Sequence, residues 1–293
     1  MTITIEPDIE ELLSKPPQPL EKLSRDVRKA LHSEAKTLGR EQVGELVDLY
    51  YRTQKTRVAL GNQSGALTRD DRPAEVVDHF ALNYATLEAQ VKGVLEAWVK
   101  ANPVGRWLLD IKGIGPVLAA NLLAQIDIEK APTVGHIWRF AGLDPTVKWS
   151  KGEKRPWNDR LKKTCWLIGD SFVKVSNREV GPGEINYGTF YRSRKEQELR
   201  KNEAGDFAAQ AADTLATRNI TDRALRATLE AGQLPLGRLE LRARRYAVKL
   251  FLSHLHHVMH VQHYGVEPPK PYALTQAGGH AHYIAPPSFN REL

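Results

Sequence analysis

The stretch Leu108-Leu109-Asp110-Ile111-Lys112-Gly113-Ile114-Gly115-Pro116-Val117-Leu118-Ala119-Ala120-Asn121-Leu122-Leu123 decides how the chain is read. An apolar helix end runs into Gly-Ile-Gly, and a second apolar helix opens on Pro116, directly after Gly115. Glycine tolerates the positive φ and tight backbone of a short turn, and proline suits the first turn of a helix. Ile114 is placed to plug the space between the two helices, and Ala119 and Ala120 let them approach closely. Past the turn, the first N–H groups of the new helix lack partners and its dipole favours an anion. A nucleic-acid phosphate fits that description, with Lys112, Gly113, Ile114, Gly115 and Val117 as its contacts. Such contacts position a strand without reading its sequence. The expectation is a helix-hairpin-helix; the alternative is a tight connector with no ligand. A dinucleotide-binding turn is excluded, because no strand precedes the glycines and no third glycine follows in register.

Helical periodicity extends on both sides. Prolines 7, 16, 17 and 19 give residues 1–20 the character of an extended lead-in, and helices are expected at about 20–38 and 41–62. Gly61-Asn62-Gln63-Ser64-Gly65 reads as a break before a helix that starts at Pro73. In that helix Val77, Phe80, Tyr84, Leu87, Val91, Val94 and Trp98 recur by three and four, a seam that faces partner helices. The same seam would serve as a dimerisation surface in a homo-oligomer. Beyond the glycine turn, helices are expected at 133–142 and 158–176, the latter packing through Leu161, Cys165, Ile168, Phe172 and Val175. Polar helices projecting from the core follow over 185–232, then a long helix over 236–264. The predicted fold is all-α: a multi-helix protein with a central helix-hairpin-helix domain and long helical extensions. Its parts are an N-terminal helical unit (1–102), the hairpin region (103–180), polar and basic helices (181–264) and a Pro/Gly/His-rich tail (265–293).

Bulk composition narrows the function. The 293 residues carry a net charge of +7 and a single cysteine, Cys165, so no internal disulfide and no cysteine-based zinc site can form. No stretch approaches the roughly 18 apolar residues of a membrane span, and the N-terminus lacks the pattern of a signal peptide. The expectation is a cytoplasmic protein away from membranes. The positive charge is concentrated: residues 141–163 hold seven lysines and arginines against three acids, and 236–252 hold five against Glu240. The remainder is close to neutral, as expected if phosphates are met at particular surfaces. Lys148, Lys151, Lys154 and Arg155 in the loop, with Arg242, Arg245 and Lys249 on the long helix, are the cationic candidates. Trp149 and Trp157, in the loop beside those cations, are candidates to stack on bases, whereas Trp138 and Trp166 read as core. DNA is the expected partner, with RNA also open. His256, His260 and His263 share a helical face and are the only metal candidates, although no carboxylate accompanies them.

The order of motifs resembles a known family. Ile111–Ala120, then Leu122-Leu123-Ala124-Gln125-Ile126-Asp127, Phe140-Ala141-Gly142-Leu143-Asp144-Pro145 and Ser150-Lys151-Gly152 resemble the C-terminal domain of DEDD-type insertion-sequence transposases and related DNA invertases. The resemblance covers roughly residues 105–175. It implies DNA recombination, with Ser150 at the position of the family's nucleophile, and an N-terminal RNase H-like nuclease domain carrying four acidic metal ligands; Mg2+ is the expected cofactor only if the chain is catalytic. No acidic quartet can be placed in this sequence: Glu41, Glu45, Asp48, Glu75 and Asp78 fall on helical repeats. The resemblance therefore leaves two readings, a DNA-binding protein of transposase or recombinase type and an active enzyme using Ser150 with groups supplied from elsewhere. A structural helical protein with no ligand is the third.

Overall fold

The computed structural model describes residues 23–179, 181, 185–269 and 284–287. Among the described residues the chain is all-α, with eleven α-helices, one 3-10 turn at Ile128–Lys130 and no strand. The helices are α1 (Arg25–Ala35), α2 (Arg40–Arg69), α3 (Glu75–Ala101), α4 (Pro103–Leu109), α5 (Pro116–Gln125) and α6 (Val134–Phe140). They continue as α7 (Asp159–Val175), α8 (Tyr187–Glu203), α9 (Ala208–Thr217), α10 (Arg223–Glu230) and α11 (Leu236–Tyr264). The chain divides into two compact units, one of residues 1–102 with 119–125, the other of 103–118 with 126–293. The predicted lead-in, most of the C-terminal tail and its His280 and His282 lie outside the described residues.

In the first unit, α2 and α3 pack along each other and α1 lies against α3. Ser24 caps α1 by accepting the Val27 N–H, and the Gln42 side chain closes the start of α2 on the Gly39 N–H at 2.8 Å. The break expected at residues 61–65 does not occur: α2 runs through both glycines to Arg69. A glycine inside a helix costs about 1 kcal/mol, and here tertiary contacts offset that cost. Ser64 is buried and donates to the Asp78 carboxylate at 2.5 Å, while Arg57 pairs with Glu88 at 2.6 Å. α3 starts at Glu75, two residues later than Pro73. Of the predicted seam only Val91 and Trp98 are buried, joined by Leu95 and Val99. Phe80 stays 52% exposed, so the seam is closed only over the C-terminal half of α3, where the Trp98 indole donates to the Leu38 carbonyl at 3.0 Å.

The second unit is built on α11, which packs on α7 and α8 along much of its length. Phe172, Tyr187 and Phe251 meet at its centre with ring centroids 5.3–5.6 Å apart. α8 can approach α7 this closely because residue 188 is glycine: a Cβ there would sit 2.6 Å from the Phe172 carbonyl oxygen. α8 is therefore part of the core and does not project from it, with Tyr187 and Tyr191 buried. A smaller apolar cluster of Phe207, Ala211, Leu229, Leu234 and Leu239 anchors α9 and α10 to α11. Beside it Glu198 is fully buried between Arg194 at 2.6 Å and Arg242 at 2.7 Å. The long terminal helix spans the predicted 236–264 and ends on left-handed Gly265.

Candidate nucleic-acid interface

Between α4 and α5 the chain turns within six residues. The Ile114 N–H donates to the Ile111 carbonyl at 3.0 Å, and the Lys112 N–H donates to Ile185 at 2.8 Å in an isolated parallel bridge. Gly113 takes φ +92° and its carbonyl accepts the Ser171 hydroxyl at 2.6 Å, tying the turn to the C-terminal part of α7. Ile114 is 4% exposed, and Val117 is also buried. The Lys112 ammonium donates to the Glu179 carbonyl. Of the two glycines only Gly113 has a positive φ. Gly115 is exposed, and no atom lies within 4 Å of the point where its Cβ would be. Gly113→Val places a β-branched side chain in the left-handed region, with its Cβ 2.8 Å from Ser171 Oγ. It should therefore lose about 2 kcal/mol in urea denaturation. Gly115→Val should lose less than about 1 kcal/mol in the same measurement, and equal losses would contradict this account of the turn.

The loop after α6 is held by its own side chains. Asp144 accepts from the Thr146 N–H at 2.9 Å and hydroxyl at 2.7 Å, which holds its carboxyl below the usual range. The Trp149 indole donates to the Glu153 carbonyl at 2.9 Å, and the Glu153 carboxylate accepts the Ser150 backbone N–H at 3.0 Å. Trp149 and Trp157 meet edge to face at 5.8 Å. The Trp157 indole donates to Asp159 at 3.0 Å, where Arg155 also pairs at 2.6 Å. Asn158 then caps α7 by accepting the Leu161 N–H at 2.9 Å. Lys148, Ser150, Lys151 and Lys154 are left exposed on the outside of this loop.

The start of α7 and the long helix α11 bring cations together beside the loop. The Lys162 ammonium lies 3.7 Å from the centroid of the Trp157 ring, and that of Lys249 lies 4.1 Å from the Trp138 ring. The Trp138 indole donates to the Lys249 carbonyl at 3.2 Å. Arg245 is exposed and near enough for its charge to act on both lysines, and none of these three cations has an ion-pair partner among the described residues. Burial pushes both lysines below the ordinary value, and the charge of Arg245 acts on both in the same direction. The charges of Asp159 and Asp144 oppose this at Lys162 and Lys249 respectively. Lys162 is absent from the sequence candidates, since position alone does not separate it from Arg160 and Lys163. Arg242 belongs elsewhere: its guanidinium is committed to buried Glu198 and stacks 4.6 Å from the Phe207 ring. Trp166, expected in the core, is 56% exposed. Ser171 is nine residues after Lys162, so the glycine turn and the cation cluster sit about 13 Å apart along α7.

The histidine face is divided among three partners. The ring of His256 donates from Nε2 to the Ala131 carbonyl at 2.8 Å, and that of His260 donates from Nδ1 to Val266 at 2.9 Å. His263 lies 3.4 Å from the Glu129 carboxylate. Among the described residues no three His, Cys, Asp or Glu side chains are grouped to hold a metal ion, and no helix is long and apolar enough to cross a membrane.

No curated protein and no solved structure matches the chain. Residues 105–165, about a fifth of the chain, match the family model described as Transposase IS116/IS110/IS902 family; this transposase-type segment runs from α4 through the glycine turn and the tryptophan loop into α7.

Proposed function

We propose that the chain is a DNA-binding protein of transposase type that grips the phosphodiester backbone where the start of α7 meets α11, beside the loop after α6. The observation that carries this reading is the trio Lys162, Arg245 and Lys249, which stand together without ion-pair partners among the described residues. Clustered like charges repel, and desolvation adds to the cost of keeping the two lysines charged. A bound phosphate removes both penalties, and the release of its counterions drives association. Lys148, Lys151 and Lys154 extend the positive surface along the loop. The glycine turn serves as a helix-hairpin-helix contact at a second phosphate: Gly115 is open to close backbone approach, and the first N–H groups of a helix such as α5 lack intrahelical partners and suit an anion.

Recombination chemistry is not assigned to this chain alone. The Ser150 hydroxyl has no hydrogen-bond partner among the described residues, and the nearby Glu153 carboxylate is bonded to the backbone N–H of Ser150 instead. A serine needs a base, a cation or a metal to attack a phosphodiester. With Mg2+ present, the protein should shift labelled duplex DNA in a gel and leave supercoiled plasmid intact. No shift at 50 mM salt would sink the proposal. A covalent DNA adduct that vanishes in Ser150→Ala would promote the enzyme reading.

A further inference from the structure

Trp166 has no role in the core. Its indole is 56% exposed on α7, whereas Leu161, Cys165, Ile168, Phe172 and Val175 of the same helix are buried and Leu167 and Val173 half-buried. Its neighbour on α11 is Arg244, whose guanidinium lies 5.9 Å from the Trp166 ring. The Arg244 stem lies over Gly169, close enough that a Cβ there would meet it at 2.7 Å. Glu240 and Asp170 partly offset the charge of Arg244, at 3.3 and 3.8 Å.

The arrangement repeats. Trp149 sits under Arg155 at 5.7 Å, Trp157 under Lys162, Trp166 under Arg244 and Trp138 under Lys249. Lys162 and Trp166 are four residues apart on α7, hence on one face. Four of the six tryptophans of the chain thus lie beside a cation of the loop after α6, of α7 or of α11. Duplex DNA hides its base faces and offers only phosphate and groove edges to such a surface. An unpaired strand offers a flat π-face at every nucleotide as well as a phosphate, and aromatic plates set among cations suit both.

We infer that the α7–α11 seam takes unpaired nucleotides, with Trp166, beside Arg244 and one helical turn from Lys162, as a base-stacking platform. This rests on the DNA-binding reading above and adds to it a preference for single strands, whether the strand is DNA or RNA. Charge complementarity selects the occupant: a second copy of this chain would bring its own positive face to the same place.

Fluorescence anisotropy with oligo-dT, oligo-rU and a blunt duplex of equal length, at one salt concentration, tests it. At least one of the single strands should bind more tightly than the duplex. Trp166→Ala should weaken single-strand binding about tenfold and leave duplex binding unchanged, while Trp166→Phe retains most of the affinity. Because Trp166 is exposed, both variants should melt with the wild type. Duplex binding equal to or tighter than that of both strands, or a Trp166→Ala variant with wild-type affinity for them, overturns the inference while leaving the DNA-binding reading standing. Absence of binding to all three probes removes that reading and this inference with it.

Discussion

Replacing Lys162, Arg245 and Lys249 together by glutamine lowers affinity for duplex DNA about a hundredfold at 0.1 M salt and makes the remaining binding less salt-sensitive, by about 2.7 in the slope of log K against log salt. The size follows from removing, in one variant, three cations that each neutralise a phosphate. The variant should be no less stable than the wild type, because the substitutions remove a mutual repulsion and glutamine keeps part of the Lys162 and Lys249 stems beside Trp157 and Trp138. Arg242→Gln is the contrasting change. It takes one of two cations from a fully buried carboxylate, so it should cost stability and leave DNA affinity within about twofold. If Arg242→Gln weakens binding as much as the triple variant does, the trio is not the site.

Acid should unfold the second unit from within. His254 is buried beside the Tyr187 hydroxyl, 2.7 Å from its Nδ1, and its Nε2 lies 2.9 Å from the Ile284 carbonyl. A carbonyl only accepts, so in the neutral ring Nε2 carries the proton and Nδ1 accepts from Tyr187. Burial holds the imidazole down from the ordinary 6.5 to about 4, with His257 acting in the same direction. The unfolded chain therefore takes up a proton from pH 6.5 downward, whereas the native state takes it up only near pH 4. Stability contributed by neutral His254 is complete above pH 6.5 and is lost as pH falls to about 4, a loss of about 3 kcal/mol. Burial lowers His256 as well, so it adds to the effect with the same sign. Urea denaturation at pH 7.5, 5.5 and 4.5 measures the loss, and His254→Gln should flatten it. Equal stability at all three pH values would contradict the buried neutral histidine.

Much of the fold is legible in the sequence because periodicity and punctuation agree. Spacing alone gives the α7 seam, and all five of its residues are buried. The extent of α11 is set by apolar repeats and by Gly265 after the last turn. The misreadings have local causes. Gly61 and Gly65 look like a break, but whether a helix tolerates them depends on partners such as Asp78, fourteen residues from Ser64. Trp166 looks like core by residue type, yet it follows Cys165 and so stands about 100° off the buried stripe. Arg242 and Arg245 are indistinguishable in sequence. What separates them is Glu198, forty-four residues before Arg242 in the chain. The same holds for Lys162, whose place beside Arg245 exists only once α7 packs on α11.

The measurement that bears most directly on the central claim is the salt dependence of duplex DNA binding by the unmodified protein. With at least three phosphates met by Lys162, Arg245 and Lys249, log K should fall linearly with log salt at a slope of about −2.7 or steeper. A slope near zero, with binding that persists unchanged from low to high salt, would contradict it.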